Sequence, residues 1–498
     1  MPAPASLTTS PPVTRAGENT RTGRRWLTLG LLATAEFMVV LDASIVNIAI
    51  PHIASGLHTA LSTLAWVITA YLVAFGGLLP FGGRLADLLG RRRAFLAGLA
   101  TFTLASLAAG LAPNIGALIT ARAVQGTGAA LLAPAALSLV IATFSEGAER
   151  TKALGVWGAV AAGGAAAGVL LGGLLTGGLG WRSVFLINVP IGVAAAALTP
   201  RLVDPNRPAG GAGSWWRRFD APGAITVTAG LAALVGGLSQ GPSWGWRAPG
   251  TLGLLTAGAV ALIGFIAIER TSSAPLLPLR LLRIRTIATS NTVMLLTGAA
   301  MLGLFYFLSL YEQVVLGYGA VAAGLSQLPM ALTLIAAAGL APVIVKQIGA
   351  RATLASGLVL LAAGLAWFGA ATAHGSFLTD VLGASLVVGT GLGIAFVPLT
   401  DLAVTGVDTA DFGIASGLIN TSQQIGGAIG LAALATLATS STRAALHNHT
   451  QVAALTTGYT DAFRVAAAIT LLAAAITALV RNRHTAANPG TQPESSAS

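Results

Sequence analysis

Three charged residues stand inside long apolar runs, where a charge is costly to place: Glu36 and Asp42 in one run and Arg122 in another. Charges at such positions are functional by default and are met by one another or by water. The run holding Asp42 ends near residue 49 and the run holding Arg122 starts near residue 115, so each charge lies seven residues from the same face. At 1.5 Å rise per residue both sit roughly 10 Å deep, which permits an ion pair. Two chemistries fit such a pair. A static pair fixes helix packing. A mobile pair trades a proton, because burial favours a neutral carboxyl, an adjacent guanidinium favours the carboxylate, and separating the two changes the balance. Glu36, six residues earlier, points about 120° away around a helix and lies nearer mid-membrane. It suits a cationic ligand, a second proton, or a protonated and hydrogen-bonded acid. Asp401 and Glu312 fall at the ends of their runs and read as interfacial.

The elements that must carry these residues are transmembrane helices. The 498-residue chain is 55% hydrophobic and only 9% charged, with a mean hydropathy of +0.80, whereas soluble domains are roughly a quarter charged. Runs long enough to cross a ~30 Å hydrocarbon core lie at 27–49, 64–82, 94–112, 115–142, 153–178 and 184–199, then at 222–240 and 251–268, then at 287–311, 322–345, 352–372, 380–403, 413–438 and 461–480. The expectation is an all-α integral membrane protein with fourteen spanning helices embedded in the lipid bilayer.

The net charge of +11 would suit nucleic acid, but the arginines form short clusters between apolar runs and no basic domain face, so no nucleic-acid partner is expected. The absence of cysteine excludes disulfides and thiolate metal sites, and His447 with His449 reads as a solvated turn, so no metal site is expected. There is no P-loop, nucleophile elbow or metalloprotease spacing. Nothing points to an enzyme or to a cofactor, and transport would be secondary. The stretch "GTGLG" (389–393) lies inside an apolar run and reads as helix packing.

Loop charges set the orientation. With the N-terminus inside, cytosolic segments hold 22 of the 27 Lys and Arg, whereas outer loops hold Arg182, Arg247, Arg443 and Arg464. The positive-inside rule then puts both termini in the cytosol. Residues 1–26 and 484–498 read as disordered cytosolic tails. Between them come a six-helix unit (27–200), linkers with an inserted hairpin (201–286) and a second six-helix unit (287–483). The two units carry a faint repeat: "GRLADLLGRR" faces "VIVKQIGARA", with Gly90 against Gly349 and Arg92 against Arg351.

Several of these stretches carry a family resemblance. Gly83-x-x-x-Asp87-x-x-Gly90-Arg91-Arg92 resembles the loop 2–3 signature of the major facilitator superfamily. "LDASIVNIAIP" (41–51), "LITARAVQGTGAA" (118–130), "GWRSVFLINVPIG" (180–192) and "GIASGLINTSQQIGGAIG" (413–430) resemble motifs of its fourteen-helix drug:proton antiporters, the multidrug-efflux type. The resemblance implies the major facilitator fold of two six-helix bundles, here with a two-helix insertion. It also implies that Asp42 and Arg122, with Gln125 beside them, serve proton and substrate coupling, and that Gly83, Asp87, Gly90, Arg91 and Arg92 belong to a cytosolic conformational gate. Asp408 and Asp411 lie in the one cytosolic loop without Lys or Arg and are expected to pair with Arg91–Arg93. In the fifth helix Gly164, Gly168, Gly172 and Gly173 resemble the antiporter packing motif, although Val169 stands where the motif has proline.

The function expected is proton-coupled export of drug-like or antibiotic amphipathic molecules, cationic ones included, by alternating access. The carrier would act as a monomer in a bacterial inner (plasma) membrane. Transport of one specific metabolite, or a transport-dead sensor or scaffold, are the alternatives.

Overall fold

In hydrocarbon a backbone must satisfy its own hydrogen bonds, so apolar runs of this length fold as helices. The computed structural model describes residues 15–144, 147–204, 220–272, 275–276, 279–404 and 412–479. Among them fourteen helices are long and apolar enough to cross a membrane. The first bundle comprises α1 (Arg15–Gly56), α2 (Leu61–Leu89), α3 (Arg91–Gly110), α4 (Ile115–Thr143), α5 (Ala148–Leu179) and α6, built of two pieces, Ser183–Leu186 and Asn188–Leu202. A hairpin follows, α7 (Ala221–Trp244) and α8 (Pro249–Thr271). The second bundle begins with α9 (Arg285–Leu310), which ends in a π-helical turn, Tyr311–Val315. It continues with α10 (Ala320–Ser326 and Leu328–Ile348), α11 (Ala350–Phe368), α12 (a π turn, Phe377–Leu382, then Gly383–Val404), α13 (Phe412–Ala445) and α14 (Gln451–Leu479).

Two boundaries depart from the sequence expectation. Residues 15–26 are helical and continuous with the first span, not a disordered tail. Once the apolar run has nucleated a helix, each added residue gains a hydrogen bond without new nucleation cost, and no proline intervenes between residues 13 and 50. At the other end α14 starts at Gln451, ahead of its apolar run, and takes in Arg464, against the expectation of an outer loop. Arg464 is paired there with Asp461 at 2.9 Å. Its 29 residues exceed what a ~30 Å core needs at 1.5 Å per residue, so the first turns can stand clear of it.

The faint repeat has a backbone counterpart. Gly90 (φ 90°) joins α2 to α3, and Gly349 (φ 83°) joins α10 to α11. Both lie in a region that a side chain disfavours. Eight residues further on, Gly98 of α3 crosses Gly128 of α4, each facing the other's backbone. Gly357 of α11 crosses Gly391 of α12 in the same way. The "GTGLG" glycines thus serve close helix contact, Gly389 and Gly393 against α10 and Gly391 against α11.

The inserted hairpin lies against the seam between the bundles. Thr228 of α7 sits over Gly77 of α2, and Thr436 Oγ1 of α13 donates to the Leu238 carbonyl at 2.8 Å. Its second helix buries only Thr251, Gly258 and Glu269. The remaining face of α8 is apolar and suited to lipid.

Candidate functional site

The structure brings Asp42 and Arg122 together deep in the first bundle, with 0% and 1% of their side chains exposed. Arg122 Nη1 donates to Asp42 Oδ2 and to Gln125 Oε1 at 2.7 Å, and its Nε donates to the Val67 carbonyl at 3.1 Å. The other carboxylate oxygen, Oδ1, accepts from Gln125 Nε2 at 2.8 Å and from Asn188 Nδ2 at 2.9 Å. Gln125 and Asn188 also converge on Ser106 Oγ, at 3.2 and 3.0 Å. Ser106 in turn donates to the Phe185 carbonyl at 2.8 Å.

Five of the first bundle's helices therefore join one hydrogen-bonded network around the carboxylate: α1 supplies Asp42, α2 the Val67 carbonyl, α3 Ser106, α4 Arg122 and Gln125, and α6 Asn188. Three N–H donors on one carboxyl group are the partner set of an ionised acid. The guanidinium lies over the Tyr71 ring at 4.3 Å, a cation–π contact in a dry site. A buried pair is tolerable only when its remaining donors and acceptors are satisfied in this way.

A second constellation joins the two bundles, on the side that the loop charges place outside. Pro51 lies within α1. It has no N–H to give to the carbonyl four residues back, so the Asn47 carbonyl is left without its helical donor. The second bundle supplies one instead: Ser309 Oγ donates to the Asn47 carbonyl at 2.7 Å. Gln313 Nε2 donates to the Ile48 carbonyl at 3.0 Å and to Ser309 Oγ at 2.8 Å. Ile48, Val169 and Ala320 form a small apolar cluster from α1, α5 and α10 beside this latch.

The fifth-helix glycines divide between two neighbours. Gly164, Gly168 and Gly172 face α1, opposite Phe37–Val40, Leu41–Ser44 and Ile45–Ile48. Gly173 faces α10, where a Cβ would meet the Ala320 carbonyl at 2.6 Å, and Gly324 faces back toward the Val169 carbonyl. With Val169 in place, α5 is one continuous helix from Ala148 to Leu179. The Gly173 and Gly324 contacts join the two bundles on the same side as the latch.

Glu36 is half-buried and forms no hydrogen bond or ion pair among the described residues. By helical periodicity it shares a stripe with Ala43 and Asn47, and that stripe touches the second bundle at Asn47. Tyr71 is within electrostatic reach of Glu36 as well as of Asp42 and Arg122, and its buried hydroxyl has no partner among the described residues. Asp401 is exposed near the cytosolic end of α12.

Glu312 corrects the interfacial expectation. It is fully buried, lies 2.6 Å from Ser326 Oγ and accepts from Gln327 Nε2 at 2.8 Å. The π turn at Tyr311–Val315 adds a residue to the turn and shifts the helical register, which brings Glu312 against the break between the two pieces of α10.

Of the gate residues, Gly83 lies in α2 near Pro134, and Asp87 belongs to the last turn of α2. Arg91 Nη1 donates to the Ser138 carbonyl of α4 at 3.3 Å, and Arg92 is half-buried beside it. Asp408 and Asp411 lie outside the described residues, as does the side chain of Asp87. A cavity of about 190 Å³ lies under the hairpin, lined by Gly76 and Pro80 of α2, Phe265 of α8 and Thr421 and Ile425 of α13. Its lining is apolar apart from hydroxyls, and Thr421 Oγ1 has no partner among the described residues.

Sequence reasoning missed Ser106, Tyr71 and Asn188. Asn188 stood inside the quoted stretch "LINVPIG", and a carboxamide in an apolar run was the available signal. Ser106 and Tyr71 gave none, since single hydroxyls are common in such runs.

The family model described as Major Facilitator Superfamily matches residues 32–431. The chain is 40% identical over 465 residues to the cephamycin export protein CmcT of Amycolatopsis lactamdurans, covering 93% of each chain. It is 39% identical over 461 residues to the puromycin resistance protein pur8 of Streptomyces alboniger, covering 91% of this chain and 90% of that one. Among solved structures it resembles the POT family transporter PepTSo with a TM-score of 0.65 at 14% identity, over 91% of this chain and 97% of that chain. That likeness concerns the fold.

Proposed function

Since the chain belongs to the major facilitator superfamily and is a multi-pass inner-membrane transporter, we propose that it exports antibiotic-like amphipathic molecules in exchange for protons by alternating access. The observation that carries this reading is the ionised Asp42–Arg122 pair, sealed from solvent and satisfied by Gln125 and Asn188. A proton delivered to Asp42 would remove one charge and the reason for three donors to converge on it, freeing α1 and α4 to shift against each other. The latch at Asn47 and Ile48 closes the outer side in this conformation. A cytosolic clasp, with Asp87 against the N-terminus of α13 and Arg91–Arg93 pairing with Asp408 and Asp411, would close in the alternate one. The export and resistance names of the relatives at 40% and 39% identity support an antibiotic as cargo.

The test is resistance profiling of a pump-deficient host expressing the chain, against a panel that includes puromycin and a cephamycin. Raised tolerance that collapses when the proton gradient is dissipated is the expected result, and tolerance indifferent to the gradient would sink the coupling.

Glu36 is assigned to cationic cargo, because it is an unpaired acid on the α1 stripe that meets the second bundle. Glu36→Gln is expected to weaken efflux of a permanent cation such as ethidium roughly tenfold, about the ~1.4 kcal/mol of a partly screened charge contact. Efflux of a neutral compound should change little. Equal losses for both, measured in the same cells, would remove Glu36 from cation recognition.

A further inference from the structure

Ser326 has one hydroxyl hydrogen and two close oxygen neighbours. Its Oγ lies 2.6 Å from Glu312 Oε1 and 2.7 Å from the Ala323 carbonyl. One hydrogen shared between two acceptors makes two weakened bonds, whereas a hydrogen for each contact makes two full ones. Both contacts are satisfied when Glu312 is itself protonated. Its O–H then donates to Ser326 Oγ, Ser326 donates to the Ala323 carbonyl, and Gln327 Nε2 donates to the remaining carboxyl oxygen at 2.8 Å.

We infer that Glu312 carries a proton in this outer-closed conformation and forms a second proton-binding site, in the second bundle and distinct from Asp42. The inference rests on the proton-coupled reading above for its role in transport, but not for the protonation itself.

The surroundings agree. No cation pairs with Glu312 among the described residues, so a proton is the available means of neutralising a fully buried carboxyl. The titratable and charged groups around the π turn are Tyr311 and Tyr318 of the same stretch and Asp380 near Tyr311. His52 of α1 stands beside Gln313, and α14 brings Tyr459 and the mutually paired Asp461 and Arg464. The position also explains how the proton would arrive. Glu312 adjoins Gln313, whose amide holds the Ile48 carbonyl across the outer seam. When that seam parts, the turn bearing Glu312 loses its cover and external water can protonate it. When the seam closes, the proton is held.

The experiment uses the full chain in liposomes. Infrared difference spectra across a pH step should contain a buried carboxylic-acid C=O band that is lost in Glu312→Gln, shifted in Ser326→Ala and retained in Asp42→Asn. Glutamine keeps the shape and can donate to Ser326 as the acid does, so Glu312→Gln should fold as stably as the parent. With an internal pH dye, protons moved per substrate should fall by one in Glu312→Gln. A Glu312→Gln spectrum identical to the parent's, or an unchanged proton count, overturns the inference. If the parent itself moves substrate without moving protons, the proton-coupled reading falls, whatever the spectrum of Glu312→Gln shows. If Asp42→Asn is inactive and Glu312→Gln is silent, only the second site is wrong.

Discussion

Asp42→Asn is expected to reduce proton-driven efflux in everted vesicles to the level of vesicles lacking the protein. It should also lower the stability of the fold by about 3–5 kcal/mol, the range for removing one partner of a buried ion pair. Two causes act together. Arg122 loses its counter-charge in a site where neither side chain has more than 1% exposure. In addition, the new carboxamide turns an N–H₂ either toward Arg122 Nη1 or toward Gln125 Nε2 and Asn188 Nδ2, all of them donors placed for a carboxylate. Combining Asp42→Asn with Arg122→Gln removes the stranded cation and should recover part of the thermal stability while leaving transport dead. That split separates coupling from folding. Proton-driven efflux by Asp42→Asn at parental levels would exclude Asp42 from the mechanism.

The second large effect is expected at the outer seam. Gly173→Val places a Cβ against the Ala320 carbonyl and Val321 Cα, backbone atoms of the other bundle that cannot rotate away. The strain is relieved by moving the bundles apart on the outer side. Overpacking of this kind costs typically 1–3 kcal/mol, enough to shift the balance between closed and open forms roughly five- to hundredfold. The chain has no native cysteine, so Ala320→Cys can report directly through a membrane-impermeant maleimide added outside. Labelling should rise sharply with Gly173→Val and stay at the parental rate with Gly178→Val, whose Cβ would meet nothing within 4 Å. Equal labelling of the two would show that the Gly173 contact does not hold the seam closed.

Much of the architecture was legible before any coordinates, because bilayer thickness sets helix length and loop arginines set orientation. The shared depth of Asp42 and Arg122 was legible too, since rise per residue converts sequence position into height. What one-dimensional reading lacks is azimuth. Ser106 and Asn188 are small polar residues in apolar runs, ordinary one by one, and only helix packing aims both at the same carboxylate. Glu312 was misplaced for a related reason: a periodicity of 3.6 assumes a regular helix, and the π turn at Tyr311–Val315 breaks that register. Pro51 was visible in "LDASIVNIAIP", but its consequence depends on Ser309, 262 positions away. The expected partners Asp408 and Asp411 fall outside the described residues, so the clasp remains a proposal drawn from their charges.

The carbonyl that Pro51 releases also bears on throughput. The latch consists of two side-chain donors on backbone carbonyls, each worth about 1 kcal/mol net once water is an alternative partner. Moving one elementary charge through 100 mV supplies ~2.3 kcal/mol, a quantity of the same size. A much stronger latch would stall the cycle at the voltages membranes sustain. A much weaker one would let the outer side open without a bound proton and dissipate the gradient as slip. In the proposed proton-coupled cycle, the helical hydrogen bond that Pro51 removes would set the latch between stalling and leaking.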